Sequence, residues 1–142
     1  MNVQSILGSK GTDVATIPQT ASLFDAVRML GELRIGALVV SGDGKAIEGI
    51  ISERDVVRHA ACDPLERVTV GAAMSTDVVT CSAGDGVDLL MSLMTERRIR
   101  HLPVVDERGR LAGIVSIGDV VKARLTELEH ENRALADYIS GH

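Results

Sequence analysis

A chain of 142 residues with 45% hydrophobic and 25% charged side chains has the composition of a folded protein and excludes a disordered one. The net charge of −5 excludes the basic excess of a nucleic-acid binder, and a single Phe and a single Tyr exclude recognition by stacking bases on aromatic rings. Two cysteines, Cys62 and Cys81, are too few for a disulfide framework or a cysteine-rich zinc site, and both read as buried structural thiols.

In chain order, residues 1–12 are expected to pack as an N-terminal segment on the body that follows. They lack the basic region and apolar core of a signal peptide, and no apolar run approaches the ~18 residues that cross a bilayer; the expected compartment is the cytoplasm, with no membrane partner. Residues 14–17 predict a short strand. Leu23, Ala26, Val27 and Leu30 then fall at i, i+3, i+4 and i+7, the apolar stripe of an amphipathic helix. Residues 35–40 and 47–52, separated by Ser41-Gly42-Asp43-Gly44, predict a hairpin, and a second helix starts at Glu53. A connection over 63–76 contains Pro64. The order then recurs: a strand over 78–81, a helix with Val87, Leu90, Met91 and Met94 on one face, a hairpin of 99–105 and 111–116, and a helix from Ile117.

Sliding the sequence by 64 positions superposes the two segments without a gap. Asp13-Val14-Ala15-Thr16 falls on Asp77-Val78-Val79-Thr80, Arg34-Ile35 on Arg98-Ile99, and Gly49-Ile50-Ile51-Ser52 on Gly113-Ile114-Val115-Ser116. Asp55-Val56-Val57 falls on Asp119-Val120-Val121. The chain is a tandem repeat of β-α-β-β-α units, 13–62 and 77–126, followed by a helical tail over 127–142. The fold class is therefore mixed α/β (α+β). A unit of this size is marginal alone, so the two are expected to fold together with their sheet faces buried against each other.

No catalytic motif is present: no nucleophile elbow, no phosphate loop ending in Gly-Lys-Ser/Thr, no His-Glu-x-x-His. His59, His101, His130 and His142 have no metal-ligand spacing. The strongest local signal is the doubled strand-to-helix junction, Gly49-Ile-Ile-Ser52-Glu-Arg-Asp55 and Gly113-Ile-Val-Ser116-Ile-Gly-Asp119. Ser-x-x-Asp at a helix start has two readings. It makes a capping box, in which the serine accepts an amide and the acid complements the helix dipole. It also makes a nucleotide site, with helix amides and serine for a phosphate and the carboxylate for a ribose diol. Arg54, Arg100 and His101 stand beside these junctions as cations or donors for a phosphate.

These features together resemble the cystathionine-β-synthase (CBS) domain pair, or Bateman module, over roughly residues 3–126. The resemblance rests on the β-α-β-β-α order, the strand Arg98-Ile-Arg-His-Leu-Pro-Val-Val-Asp106, and the doubled Gly-apolar-apolar-Ser-x-x-Asp. It implies two repeats about a pseudo-twofold axis with two clefts between them, each taking an adenosine-containing ligand: AMP foremost, or ADP, ATP, NAD or S-adenosylmethionine. One cleft would use Val14, Ala15, Ile35, Gly36 and Ala37 for adenine, with Arg100, His101, Ser116 and Asp119 for phosphate and ribose. The other would use Val78, Val79, Ile99 and Arg100 for the base, with Ser52, Arg54 and Asp55 for the rest. The first repeat carries Gly36-Ala37 where the second has Arg100-His101, and Gly118 stands opposite Arg54, so the clefts are not equivalent. The Arg100/His101/Asp119 cleft is the expected phosphate site.

Beyond the repeats, Val121, Leu125, Leu128, Asn132, Leu135 and Ile139 recur at a 4,3,4,3,4 spacing. This seam suits either a paired coiled coil with one polar interior position or a helix packed on the body. The resemblance implies a stand-alone, non-enzymatic sensor without a fused output domain, acting as a homodimer or through a separate effector protein. The alternative is a dimeric interaction or assembly module with vestigial clefts.

Overall fold

The computed structural model describes residues 1–141; His142 lies outside the described residues. The elements are α1 (Val3–Lys10), β1 (Thr16–Ile17), α2 (Leu23–Leu33), β2 (Ala37–Val40), β3 (Gly49–Ser52), α3 (Glu53–Ala60), a 3₁₀ turn (Leu65–Arg67), α4 (Val70–Ala73), β4 (Cys81–Ser82), α5 (Val87–Arg97), β5 (His101–Val105), β6 (Leu111–Ser116) and α6 (Ile117–Ile139). They make two three-stranded mixed sheets, β1-β2-β3 and β4-β5-β6. In each, the first strand pairs parallel with the second across a helix, and the second pairs antiparallel with the third as a hairpin.

The repeat is obeyed closely. Helices α2 and α5 both end on an arginine in left-handed conformation, Arg34 at φ 55° and Arg98 at φ 53°, whose amides close the last turn onto Leu30 and Met94. The helices after each hairpin begin at Glu53 and Ile117, as the Ser-x-x-Asp spacing predicts. The lead strands are shorter than the predicted 14–17 and 78–81, because pairing reaches only Thr16–Ile17 and Cys81–Ser82. The 35–40 and 99–105 strands likewise begin only at Ala37 and His101, after the left-handed arginines.

Two apolar cores result, one per sheet. Ile17, Leu23, Ala26, Leu30, Leu38, Val40 and Ile51 fill the first; Cys81, Val87, Leu90, Met94, Leu102, Val104 and Val115 fill the second. Each is closed by a helix from outside its own unit. Val3, Ile6 and Leu7 of α1 cover the second core, and Val70 and Ala73 of α4, inside the 63–76 connection, cover the first. Two glycines make this exchange possible. A Cβ on Gly49 would stand 2.6 Å from Met74 Sδ and 2.8 Å from Ser75 O, and one on Gly113 would stand 2.9 Å from Leu7 Cδ2.

Val39 and Pro103, one repeat length apart, are buried yet belong to neither core. Strand alternation turns them to the opposite sheet face, the one that the other unit covers. A hydrogen bond of 2.8 Å from Leu111 N to Lys45 O joins the two hairpins.

Two expectations are corrected. Val27 and Met91, equivalent positions on α2 and α5, are 37% and 39% exposed, because the sheets cover only the narrower stripes Leu23-Ala26-Leu30 and Val87-Leu90-Met94. Cys62 is exposed in the turn after α3, and only Cys81 is buried. The extended C-terminal helix is present as expected: α6 runs from the second junction through Ile139 without interruption.

Candidate functional site

Both Ser-x-x-Asp junctions form the capping box. Ser52 N and Oγ donate to Asp55 Oδ2 at 2.9 and 3.0 Å, and Asp55 N donates to Ser52 Oγ at 3.4 Å. Ser116 N and Oγ donate to Asp119 Oδ2 at 2.8 and 2.9 Å, with Asp119 N returning to Ser116 Oγ at 3.2 Å. The box therefore occupies one oxygen of each carboxylate. Among the described residues, nothing donates to the other oxygen of Asp55. At the start of α3, Glu53 N donates to Gly36 O at 3.1 Å and Asp55 N is taken by the cap, so Arg54 N is the amide of that turn left over. The capping reading and the site reading thus coexist: Asp55 offers a ligand one free oxygen rather than two, and the helix offers one amide.

That free oxygen belongs to a side chain lining a cavity of about 540 Å³, built jointly by the two repeats. The volume lies in the range of small-molecule sites, ~300–1,000 Å³. Gly36, Ala37, Ile50, Ser52, Glu53, Arg54, Asp55, Val57 and Arg58 line it from the first unit, and Ser75, Asp77, Val78, Val79, Arg97, Arg98, Ile99, Arg100, His101 and Pro103 from the connection and the second. Asp55 is 7% exposed. The cavity gathers all seven residues named for the second cleft. It also takes Gly36, Ala37 and His101, which the sequence assigned to the other. Sequence reasoning missed Arg58, Arg97 and Arg98; the available signal was the i, i+4 spacing of Arg58 from Arg54, which puts both on one side of α3.

The other five named residues lie elsewhere. Ala15 and Ile35 pack against the first core, and Val14 is half-buried without lining either cavity. Ser116 caps α6. Asp119, at the expected phosphate site, is engaged from within: Lys10 Nζ at the end of α1 donates to Asp119 Oδ2 at 2.7 Å and to Ile114 O at 3.0 Å. Burial would raise this carboxyl, but the Lys10 and Ser116 hydrogen bonds outweigh it and hold the pKa below the ordinary carboxylate value. What remains beside Asp119 is a recess of about 100 Å³ against α1.

His101 sits between the two junctions. It pairs with Ser116 across the β5–β6 hairpin, and its ring packs so closely on Gly36 that a Cβ there would lie 3.0 Å from its Cε1. Burial pushes its pKa below 6.5; Glu53 and Asp119 pull upward, and Lys10 and Arg100 add to the lowering. Burial thus favours the neutral imidazole, the form that both donates and accepts a hydrogen bond.

Among the described residues, no group of three His, Cys, Asp or Glu side chains could hold a metal, and no helix is long and apolar enough to cross a membrane.

A family model, the CBS domain, matches residues 9–61 and 70–126. The fold superposes with a TM-score of 0.82 on a CBS-domain containing protein of Agrobacterium tumefaciens, 44% identical, covering 87% of this chain and 99% of that one. A CBS domain protein of Pyrobaculum aerophilum, solved in complex with AMP, is 27% identical with a TM-score of 0.79, covering 92% of this chain and 99% of that one. Among curated relatives, the mitochondrial CBS domain-containing protein CBSX3 of Arabidopsis thaliana is 38% identical over 126 residues, 84% of this chain and 61% of its own length. With two matched repeats, the exchanged helices and the junctions in register, the chain belongs to the CBS domain family.

Proposed function

We propose that the chain is a non-catalytic regulatory module that binds an adenosine-containing ligand in the cavity around Asp55, the candidates being AMP, ADP, ATP, NAD and S-adenosylmethionine. The observation that carries this is the joint construction of that cavity, which Asp55, with one carboxylate oxygen left unbonded by the cap, and Arg54 line together with Val78, Val79 and Ile99 of the other unit. The adenine lies against these aliphatic side chains, which suits a chain with so few aromatic rings. The ribose bonds to Asp55, and the 5′ substituent meets Ser52, Arg54 and the start of α3. Because the cavity needs both units, a bound ligand ties the repeats together and transmits occupancy to whatever the pair contacts. The AMP held by the Pyrobaculum relative supports the class of ligand. The reading places the protein in the cytoplasm, while one relative is named as mitochondrial.

Calorimetry of the purified chain with AMP, ATP, NAD and S-adenosylmethionine tests it. At least one must bind, and Asp55→Asn must weaken that binding at least about tenfold, the loss of one charge-assisted hydrogen bond. Silence for all four overturns the proposal.

A second reading, a dimeric assembly module with vestigial clefts, is favoured by one observation: Phe24 and Val27 of α2 and Leu89 and Met91 of α5 are exposed apolar side chains on helices from both units. Homodimerisation through these helices is compatible with ligand binding, and an effector protein could use the same side chains. Sedimentation with and without ligand separates the two readings, since only the first makes association respond to it.

A further inference from the structure

Five arginines, Arg54, Arg58, Arg97, Arg98 and Arg100, are among the residues that line the 540 Å³ cavity, against three acidic residues, Glu53, Asp55 and Asp77. Among the described residues, none of the five side chains makes a hydrogen bond or an ion pair, although the protein as a whole carries a net charge of −5. In an acidic chain, arginines gathered at one place and left without acidic partners lose mutual Coulomb energy, which an anion there recovers.

The duplication supplies an internal control. At the positions one repeat away the other unit has Gly118 for Arg54, Lys122 for Arg58, Leu33 for Arg97 and Gly36 for Arg100, and only Arg34 matches Arg98. The fold is built equally well on both sides, so it does not demand these arginines. All five are exposed, and the other unit keeps a cation at two of the five positions, Lys122 and Arg34, so the excess at this cavity lies in Arg54, Arg97 and Arg100. Arg54 and Arg58 rise one turn apart along α3, and Arg97, Arg98 and Arg100 approach from the end of α5 on the other unit. Positive charge is therefore brought to the cavity by both units, along one side of α3 and from the end of α5.

We infer that this cavity selects an adenosine ligand carrying two or more linked phosphates over the monophosphate, Arg54 and the α3 amide taking the first phosphate and the remaining arginines the next. The inference rests on the ligand reading above and specifies its anion. An adenosine di- or triphosphate and the pyrophosphate of a dinucleotide share this chemistry, and the arms of the experiment tell them apart.

The test is calorimetry of the full chain with AMP, ADP, ATP and NAD, without divalent cations, at low and high salt. Affinity should rise at least about tenfold from AMP to ATP at low salt, and the gap should narrow as salt screens the exposed arginines. NAD binding near ADP identifies the pyrophosphate as sufficient; NAD binding at or below AMP restricts the ligand to a terminal polyphosphate. The double variant Arg58→Gln/Arg97→Leu, altering two exposed side chains, should shrink the AMP-to-ATP ratio. AMP binding as tightly as ATP, or a ratio that survives the double variant, overturns this inference and leaves the ligand reading standing. Absence of binding by all four overturns both.

Discussion

Lys10 and Asp119, 109 residues apart, form an ion pair of 2.7 Å that places a cation of the chain itself where the second junction would receive a ligand. Among the described residues, Asp55, the equivalent carboxylate, pairs with no cation, and it lines a cavity about five times larger than the recess at Asp119. The two halves of the duplication thus differ at this carboxylate, one lining a cavity and the other paired within the chain. Lys10→Met keeps much of the side-chain stem and removes the charge. It should cost no more than about 1 kcal/mol of stability, the pair being partly exposed, and raise nucleotide stoichiometry from one to two per chain. A stoichiometry that stays at one shows that closure does not depend on Lys10.

His101 makes stability depend on pH with a definite sign. Its folded pKa lies below 6.5, so above that value both states are neutral and the fold has its full stability. As pH falls from 6.5 towards the lower folded pKa, the unfolded chain takes up a proton that the folded chain refuses, and stability drops. His101→Gln should flatten urea-unfolding midpoints between pH 6.5 and 5 relative to the parent; equal slopes would contradict the assignment.

The two glycines under the exchanged helices should differ in their tolerance. An alanine Cβ at position 49 meets the Ser75 carbonyl, which is backbone and cannot turn aside, whereas at position 113 it meets only the Leu7 side chain. Gly49→Ala should cost about 2–3 kcal/mol by overpacking and Gly113→Ala nearer 1, measurable as denaturation midpoints. Equal costs would mean that α4 shifts as freely as Leu7.

The thiols should separate in reactivity. The Cys81 thiol is pushed up to about 12, by burial first and then by the Asp85 carboxylate, while Cys62 is exposed. A thiol reagent at pH 8 should label one cysteine per native chain and two after denaturation. Labelling of both in the native protein would mean that the second core opens readily.

Along α6, the 4,3 seam stays uncovered: Leu125, Leu135 and Ile139 are 55%, 58% and 75% exposed. Ending the chain after Arg124 should weaken self-association in sedimentation, as expected for a seam that pairs with a second copy. Unchanged association would place the contact on α2 and α5 instead.

Much of this was legible in the sequence because duplication doubles every signal. The junctions were fixed by Ser52 and Ser116, whose hydroxyls define where the helices start. What escaped notice depends on contacts across the repeats. Val27 and Met91 fit a helical stripe, but periodicity cannot tell how wide a stripe a small sheet will cover. Helix α4 holds four residues with a glycine among them, too short to register as periodic. Arg58, Arg97 and Arg98 read as solvated surface until α3 and α5 are seen from opposite sides of one cavity, and nothing near Lys10 announces Asp119.

The crossing of α1 and α4 also governs the order in which the protein can be built. When residue 74 emerges during synthesis, the first sheet and its covering helix are complete, and that half can consolidate. Helix α1, made before either unit, has nothing to cover until β6 appears at residues 111–116, so its apolar side must wait while the first unit is made. A segment made ahead of both units is thus among the last to dock, and deleting Val3–Lys10 should injure the second unit and spare the first.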